Sequence, residues 1–382
     1  MRNIELNRML RQVTKVFYFL RIWRRDEESD TFKIGRKFVF LLYYVLFQIF
    51  LVTCSVLSPD ANESIFLASI QVLLSVVTIK LTCLLWNRND INSLVFDPIT
   101  THLTLEEDNA AVDKDIKVFM KFVHCYVAML CFSAISYVFG TLPMLTNDRK
   151  LPFFISYRLE GQYSEHAYWI AYVFLISEIW LGMICTLINI LIWYAMFNYS
   201  LEYETIGGQM KNLGKDRVAR LQFCERTDFH RDLIQVIRNH RHLSKTIGRF
   251  QSCFSKLFTV QIATSGLTIC VSAYILANSS TENVPQILIF AIILIYAIFE
   301  ILVVMYLANN IHVTSAKLSY CLFESNWIGQ PTASIKCIII LGEVIRQPQQ
   351  LVILKVVPVD LDTFSVIMKG AYNLFNILQN LN

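Results

Sequence analysis

Six stretches of this chain run for about 20 residues or more with at most one acidic or basic side chain each: roughly 38–57, 65–86, 122–145, 167–197, 257–277 and 284–308. A bilayer core takes about 20 apolar residues as an α-helix. Inside lipid every backbone N–H and C=O must bond within its own segment, which leaves helices as the form such runs take. The segment 363–381 (TFSVIMKGAYNLFNILQNL) is a seventh and less apolar candidate. Residues 334–345 (SIKCIIILGEVI) are too few to cross and read as a buried or interfacial helix. Only 17% of the 382 residues are charged and 55% are hydrophobic. A soluble fold of this length has too little interior for that much apolar surface. A disordered chain, a nucleic-acid-binding tail and a secreted disulfide scaffold are excluded. The expected fold is all-α: a polytopic seven-transmembrane helical protein in contact with lipid, with no nucleic-acid partner.

The positive charges set an expected orientation. Residues 1–37, 87–117, 198–252 and 309–356 alternate onto one side and carry 27 Lys and Arg, against three in 58–64, 146–166 and 278–283. By the positive-inside rule the N-terminus is cytoplasmic, and seven spans place the C-terminus outside. The sequons at Asn62 and Asn278 then fall outside as glycosylation candidates, whereas the one at Asn198 falls inside and is expected to stay bare. A seven-helix G-protein-coupled receptor has an external N-terminus, and no NPxxY or CWxP string occurs here. The expected organisation has a cytoplasmic amphipathic segment at 1–37 and spans one to six over 38–308, with an extension at 198–252. A cytoplasmic stretch at 309–356 holds the short helix, and the last helix takes 357–382.

Outside the bilayer, Leu6, Met9, Leu10, Val13, Phe17 and Leu20 share a helical face flanked by Arg2, Arg8, Arg11 and Lys15. This helix either lies on the membrane surface or packs against the bundle. Leu221, Phe229, Leu233 and Val236 form an apolar face in 198–252, so spans four and five are expected to continue as helices and to bundle with 309–345. The ten cysteines include no CxxC pair and no metal spacing. His230, His240 and His242 lie among arginines and read as solvated side chains rather than ligands. No metal, cofactor or catalytic constellation is visible, so the chain is not expected to be an enzyme. Glu178, Glu300 and Lys80 fall within apolar runs, where buried pairing or water contact is the expected role.

The last helix is the most informative. Asp362, Ser365, Lys369, Asn373, Asn376 and Asn380 are spaced by three or four residues and fall within an arc of roughly 80°. Such a stripe must face protein or water. It either lines a water-filled pore, where amides solvate passing ions, or makes polar contacts between packed helices. Beside it, Ile377 and Leu381 either close a pore by dewetting or pack a helix end.

The string TFSVIMKGAYNLFNILQ resembles the C-terminal signature of insect odorant receptors, LSYCLFESNWIG (318–329) their Tyr…Trp stretch, and IIILGEVIRQPQQLVI (338–353) their short helix and Gln-Pro turn. Gustatory receptors are the close rival, but their Thr-Tyr…Gln-Phe ending is broken here. The resemblance implies an odorant-specific tuning subunit of a heterotetrameric, ligand-gated, non-selective cation channel. Its partners would be a shared coreceptor, a small volatile odorant, and monovalent and divalent cations. Its place would be the plasma membrane of olfactory neuron dendrites. The short 198–252 loop argues against the coreceptor itself. The family's pore lies on the last helix, which implies Lys369, Asn373, Asn376 and Asn380 as lining residues and Ile377 and Leu381 as the gate. Family pockets lie in the outer halves of spans two, three, four and six. Projected inward faces there are Ile70, Leu73 and Leu74; Ser133, Ser136, Tyr137 and Gly140; Trp169, Tyr172 and Ile176; Ile293 and Tyr296. These line an apolar pocket with a few hydroxyls or serve as helix-packing residues.

Overall fold

The computed structural model describes residues 13–19, 30–58, 61–87, 90–91, 93–94, 108–140, 165–214, 222–278, 284–353 and 356–380. The elements are α1 (Asp30–Leu57), α2 (Ala61–Trp86), α3 (Asp108–Gly140), α4 (Glu165–Thr186), α5 (Ile188–Asn212), α6 (Gln222–Asn278), α7 (Val284–Phe323), α8 (Thr332–Ile345), β1 (Val352–Ile353), β2 (Val357–Pro358) and α9 (Leu361–Asn380). The strands pair antiparallel, with Val352 opposite Pro358 and Ile353 opposite Val357.

Among the described residues, five stretches are helical, long and apolar enough to cross a membrane: Lys37–Leu57, Lys114–Ile135, Tyr172–Asn212, Phe229–Ala277 and Ile287–Phe323. α2 adds a shorter apolar stretch, Ile70–Cys83. α9 is not among them, because its polar stripe lowers its hydropathy. The 57 residues of α6 and 40 of α7 extend about 85 and 60 Å at 1.5 Å per residue, far beyond a core of about 30 Å. Their surplus turns, and those of α5 past residue 197, are amphipathic rather than apolar.

Three element boundaries depart from the hydropathy reading. α3 starts at Asp108 rather than near 122, because Asp108–Lys121 forms helix without being apolar. α7 runs to Phe323 rather than 308, since Ile311, Ser315, Leu318 and Leu322 bury one face after the apolar run ends. The run 167–197 is broken at Leu187, where Ile190 N–H bonds Leu187 O in a tight turn at 3.1 Å. There the Thr186 hydroxyl donates to Met183 O at 2.6 Å, a back-bond of the kind that bends helices.

The chain forms two compact units. One takes Met1–Arg88, Asp115–Leu191 and Ala263–Leu294; the other takes Asn89–Lys114, Ile192–Ile262 and Ile295–Asn382. In the first, α1 buries Tyr44, Phe47, Leu51 and Cys54 at helical spacing, and α2 buries Leu67, Ile70, Leu81 and Leu85. Gln48 donates to Thr78 Oγ1 at 2.6 Å, and Ser55 donates to Ser64 O at 2.9 Å across the short α1–α2 connection. The other face of α1 exposes Phe38, Leu42, Leu46, Ile49 and Val56, a surface suited to lipid rather than water. Val13 and Phe17 of the amphipathic N-terminal segment are buried, which favours packing over a membrane-surface role; Leu6, Met9, Leu10 and Leu20 lie outside the described residues.

The second unit is built on α5, α6, α7 and α8. Trp193, Tyr199 and Tyr203 of α5, Leu243, Ile247 and Phe250 of α6, Met305 and Ile311 of α7, and Ile338 and Leu341 of α8 are buried. Phe229, Leu233 and Val236 are also buried, as their spacing predicts; Leu221 lies outside the described residues. After α5 the chain turns through Gly214 at φ +78°, and an added Cβ there would meet Asn326 O at 3.2 Å. The turn is pinned by Asn326 N–H bonding Leu213 O at 3.0 Å. His230 lies 3.1 Å from Ser334 Oγ, and the His240 ring sits 6.2 Å from that of Tyr203. These two histidines are packed into the bundle rather than solvated; His242 is exposed. The described residues hold no group of three or more His, Cys, Asp or Glu placed to bind a metal.

Candidate functional site

Two constellations bear on function, one in each unit. In the first unit, Phe47, Leu51 and Cys54 of α1, Leu67 and Ile70 of α2, Tyr172 and Leu175 of α4, and Phe290 of α7 form one apolar cluster. Leu74, Phe174, Ile176, Ile275, Leu276 and Ile289 pack against it. Phe174 meets the rings of Tyr43 at 5.3 Å and Phe47 at 5.9 Å edge-on, the geometry that ring quadrupoles favour. A polar layer lies beside the cluster on the same helices: Tyr43 bonds Ser177, and Gln71 donates to Gln48 at 3.4 Å.

Of the projected pocket residues, Ile70, Leu74, Tyr172 and Ile176 come together here. Trp169 is 40% exposed, with its ring edge-on to Tyr172 at 5.8 Å. Ser133 is exposed, and its hydroxyl donates to Leu130 O on its own helix. Ile293 is half-buried outside the cluster, and Tyr296, in the other unit, donates to Glu300 Oε1 at 3.3 Å. The side chains of Leu73, Ser136, Tyr137, Gly140 and Glu178 lie outside the described residues. Sequence reasoning missed α1 and α6 as walls. The spacing of Phe47, Leu51 and Cys54 was a usable signal, but in an all-apolar helix it does not stand out from the lipid-facing side chains.

The second constellation is α9. It is capped by Asp360, whose Oδ1 accepts from Thr363 N–H at 2.8 Å. Its only buried residue is Ala371. Asp362, Ser365, Lys369, Asn373 and Asn380 are exposed, and Asn376 is half-buried. The apolar side is partly uncovered: Val366, Tyr372 and Ile377 are 57–67% exposed, a Cβ added at Gly370 would meet nothing within 4 Å, and Phe364, Ile367, Met368, Phe375 and Leu378 are half-buried. Leu381 lies outside the described residues. Among the described residues, most of the polar stripe and part of the apolar side of this 20-residue helix are open.

Of the sequons, Asn62 lies in the first turn of α2 and Asn278 is the last residue of α6. Asn198 lies within α5 and donates to Glu202 Oε1 at 2.9 Å. Glu202 is buried and its Oε2 has no partner. It stands beyond residue 197, outside the apolar run, and near Tyr199 and Tyr203. Burial pushes its carboxyl up to about 8, opposed by the Asn198 hydrogen bond. Its folded value is thus raised above the unfolded value of 4.5, so the folded chain holds a proton that the unfolded chain releases. Stability is expected to fall as pH rises between about 4.5 and 8. Glu202→Gln should flatten that slope and melt above wild type at pH 8 in detergent. Parallel melting profiles from pH 5 to 8.5 would refute this assignment.

A helical, multi-span membrane protein with an apolar cluster among its spans and a largely exposed, polar-striped last helix is the class that this fold and these sites define. The profile described as 7tm odorant receptor matches residues 62–372, and the chain belongs to that family. It is 25% identical over 147 residues to odorant receptor 23a of Drosophila melanogaster, covering 38% of each chain. It is 21% identical over 249 residues to odorant receptor 10 of Aedes albopictus, covering 65% of this chain and 64% of that one. The chain therefore spans from 38% to 64% of the length of these relatives. It also superposes on the insect olfactory receptor OR5 from Machilis hrabei in complex with eugenol, with a TM-score of 0.81 and 15% identity over 100% of both chains. A second structure of the same receptor gives a TM-score of 0.79 and 14% identity over 100% of both chains. At that identity the likeness establishes the fold. The relatives are receptors, not enzymes.

Proposed function

We propose that the chain is the odorant-sensing subunit of a heteromeric, ligand-gated, non-selective cation channel in the plasma membrane of olfactory neuron dendrites. Its N-terminus is cytoplasmic and its C-terminus external. A small volatile molecule binds among the spans near Ile70, Leu74, Tyr172 and Ile176. Lys369, Asn373, Asn376 and Asn380 line the pore, with Ile377 and Leu381 as its constriction. The observation that carries this reading is the exposure of α9. Neighbouring subunits would cover its apolar side and leave the stripe facing a shared aqueous path, where amides replace part of an ion's hydration. The exposed Ile339, Ile340 and Val344 of α8 are a second surface for subunit contact. The partner is the family's coreceptor, and the monovalent and divalent ions that pass are its cargo.

The test is whole-cell current during a volatile-panel screen in cells expressing the chain with and without an insect odorant coreceptor. Current only with both subunits is the expected result. Surface delivery independent of the coreceptor, with no current under any volatile, would count against a tuning subunit.

A further inference from the structure

The base of α9 is held by a segment with little regular structure, and three hydrogen bonds tie its described residues to two helices. Gln349 N–H donates to Ser315 Oγ of α7 at 2.9 Å. Ser244 of α6 donates to Gln349 Oε1 at 3.1 Å, and Gln251 Nε2 of α6 donates to Val352 O at 3.0 Å. Ser244 and Gln251 are two helical turns apart, about 10.5 Å along one face. From Gln349 to Val352 is three residues of extended chain, about 10 Å. The two spacings match, so this stretch lies along α6 and is fastened at both ends. Leu351, Ile353 and Val359 are buried, and Val359 N–H bonds Leu351 O at 2.8 Å. Asp360 then caps α9 directly. From Val359 only Asp360 separates the hairpin from the first turn of the last helix. α9 itself has one buried residue, so this fastening lies at the end of a helix that is otherwise half-buried or exposed.

Resting on the channel reading above, we infer that Gln251, with Ser244 and Gln349, forms a clamp that couples α9 to α6 and sets the rest position of the pore helix. These are positioning residues, since none of them lies on the pore stripe. Gln251→Met keeps the length and removes the donor; Gln251→Lys keeps a donor. Ser244→Ala deletes one hydroxyl and guards against a variant that fails to fold.

The first readout is backbone amide exchange in the purified full-length chain, which requires neither ligand nor current. Gln251→Met and Ser244→Ala are expected to speed exchange over 361–366 about threefold to tenfold, the scale of one lost hydrogen bond. Exchange over 236–243 of α6 should stay unchanged, and Gln251→Lys should restore the slow rate. Unchanged exchange at 361–366 in both donor-deleted variants overturns the clamp. The second readout is unliganded current per surface subunit with the coreceptor. Gln251→Met should shift it at least threefold and Gln251→Lys should return it; faster exchange with unshifted current overturns the coupling. Absence of current in wild type and in Ile377→Ser, a polar replacement at the constriction, would remove the channel reading and the coupling with it. That outcome is distinct from unchanged exchange, which removes the clamp alone.

Discussion

Ile377→Ser should raise the unliganded current about tenfold or more in cells that also express the coreceptor. Ile377 is 57% exposed on α9 and sits beside the Asn373–Asn380 stripe. If closure brings its copies together, each is withdrawn from water with a gain of about 1.5–3 kcal/mol. Every 1.4 kcal/mol is about a factor of ten in an equilibrium, so one polar replacement is enough to move a mostly closed channel. A serine hydroxyl also keeps water in a constriction that an apolar ring would dewet. Surface protein must be measured in parallel, because a rise in delivery would mimic a rise in opening. Basal current equal to wild type, at equal surface density, would sink the gate assignment.

The last helix was legible because its two sides differ in kind: a stripe from Asp362 to Asn380 stands out against apolar neighbours. The same rule fails within the other spans. On α1, Phe47 and Leu51 are buried while Leu46 and Ile49 are exposed, yet all four are equally apolar. In lipid there is no polar side to mark the outward face, so periodicity cannot say which residues meet another helix. That is why the cluster's α1 wall went unseen. The projection onto α3 and α7 named Ser133 and Ile293, which lie outside the cluster. Outside the apolar runs periodicity regains its power, and Phe229, Leu233 and Val236 of α6 are buried as spaced. The extended length of α3 and α7 was hidden for a simpler reason: a hydropathy threshold ends a helix where apolarity ends, whereas the backbone ladder continues through Asp108–Lys121 and Asn309–Phe323.

Phe250→Ala should be the most damaging single truncation in the second unit. Phe250 is fully buried, with ring centroids 5.5 Å from Tyr199, 4.9 Å from Phe254 and 6.1 Å from Phe258. Emptying such a site costs about 3–5 kcal/mol, a large share of the roughly 5–15 kcal/mol that separates a folded domain from its unfolded ensemble. Phe250→Leu fills most of the volume and loses mainly the ring contacts, each worth about 0.5–1.5 kcal/mol, so it should fall between wild type and alanine. Phe323→Ala is the control: that ring is 66% exposed, and its loss should change stability by no more than about 0.5 kcal/mol. Melting of the detergent-purified chain orders the three, and surface delivery should follow the same order. Phe250 is one residue from Gln251 on the helix that fastens the base of α9, so a cavity there should loosen the clamp before the unit as a whole unfolds. Faster exchange over 361–366 in Phe250→Leu, at a temperature where α6 remains protected, would show that order; melting of Phe250→Ala alongside Phe323→Ala would show that the ring cluster is not what holds this unit together.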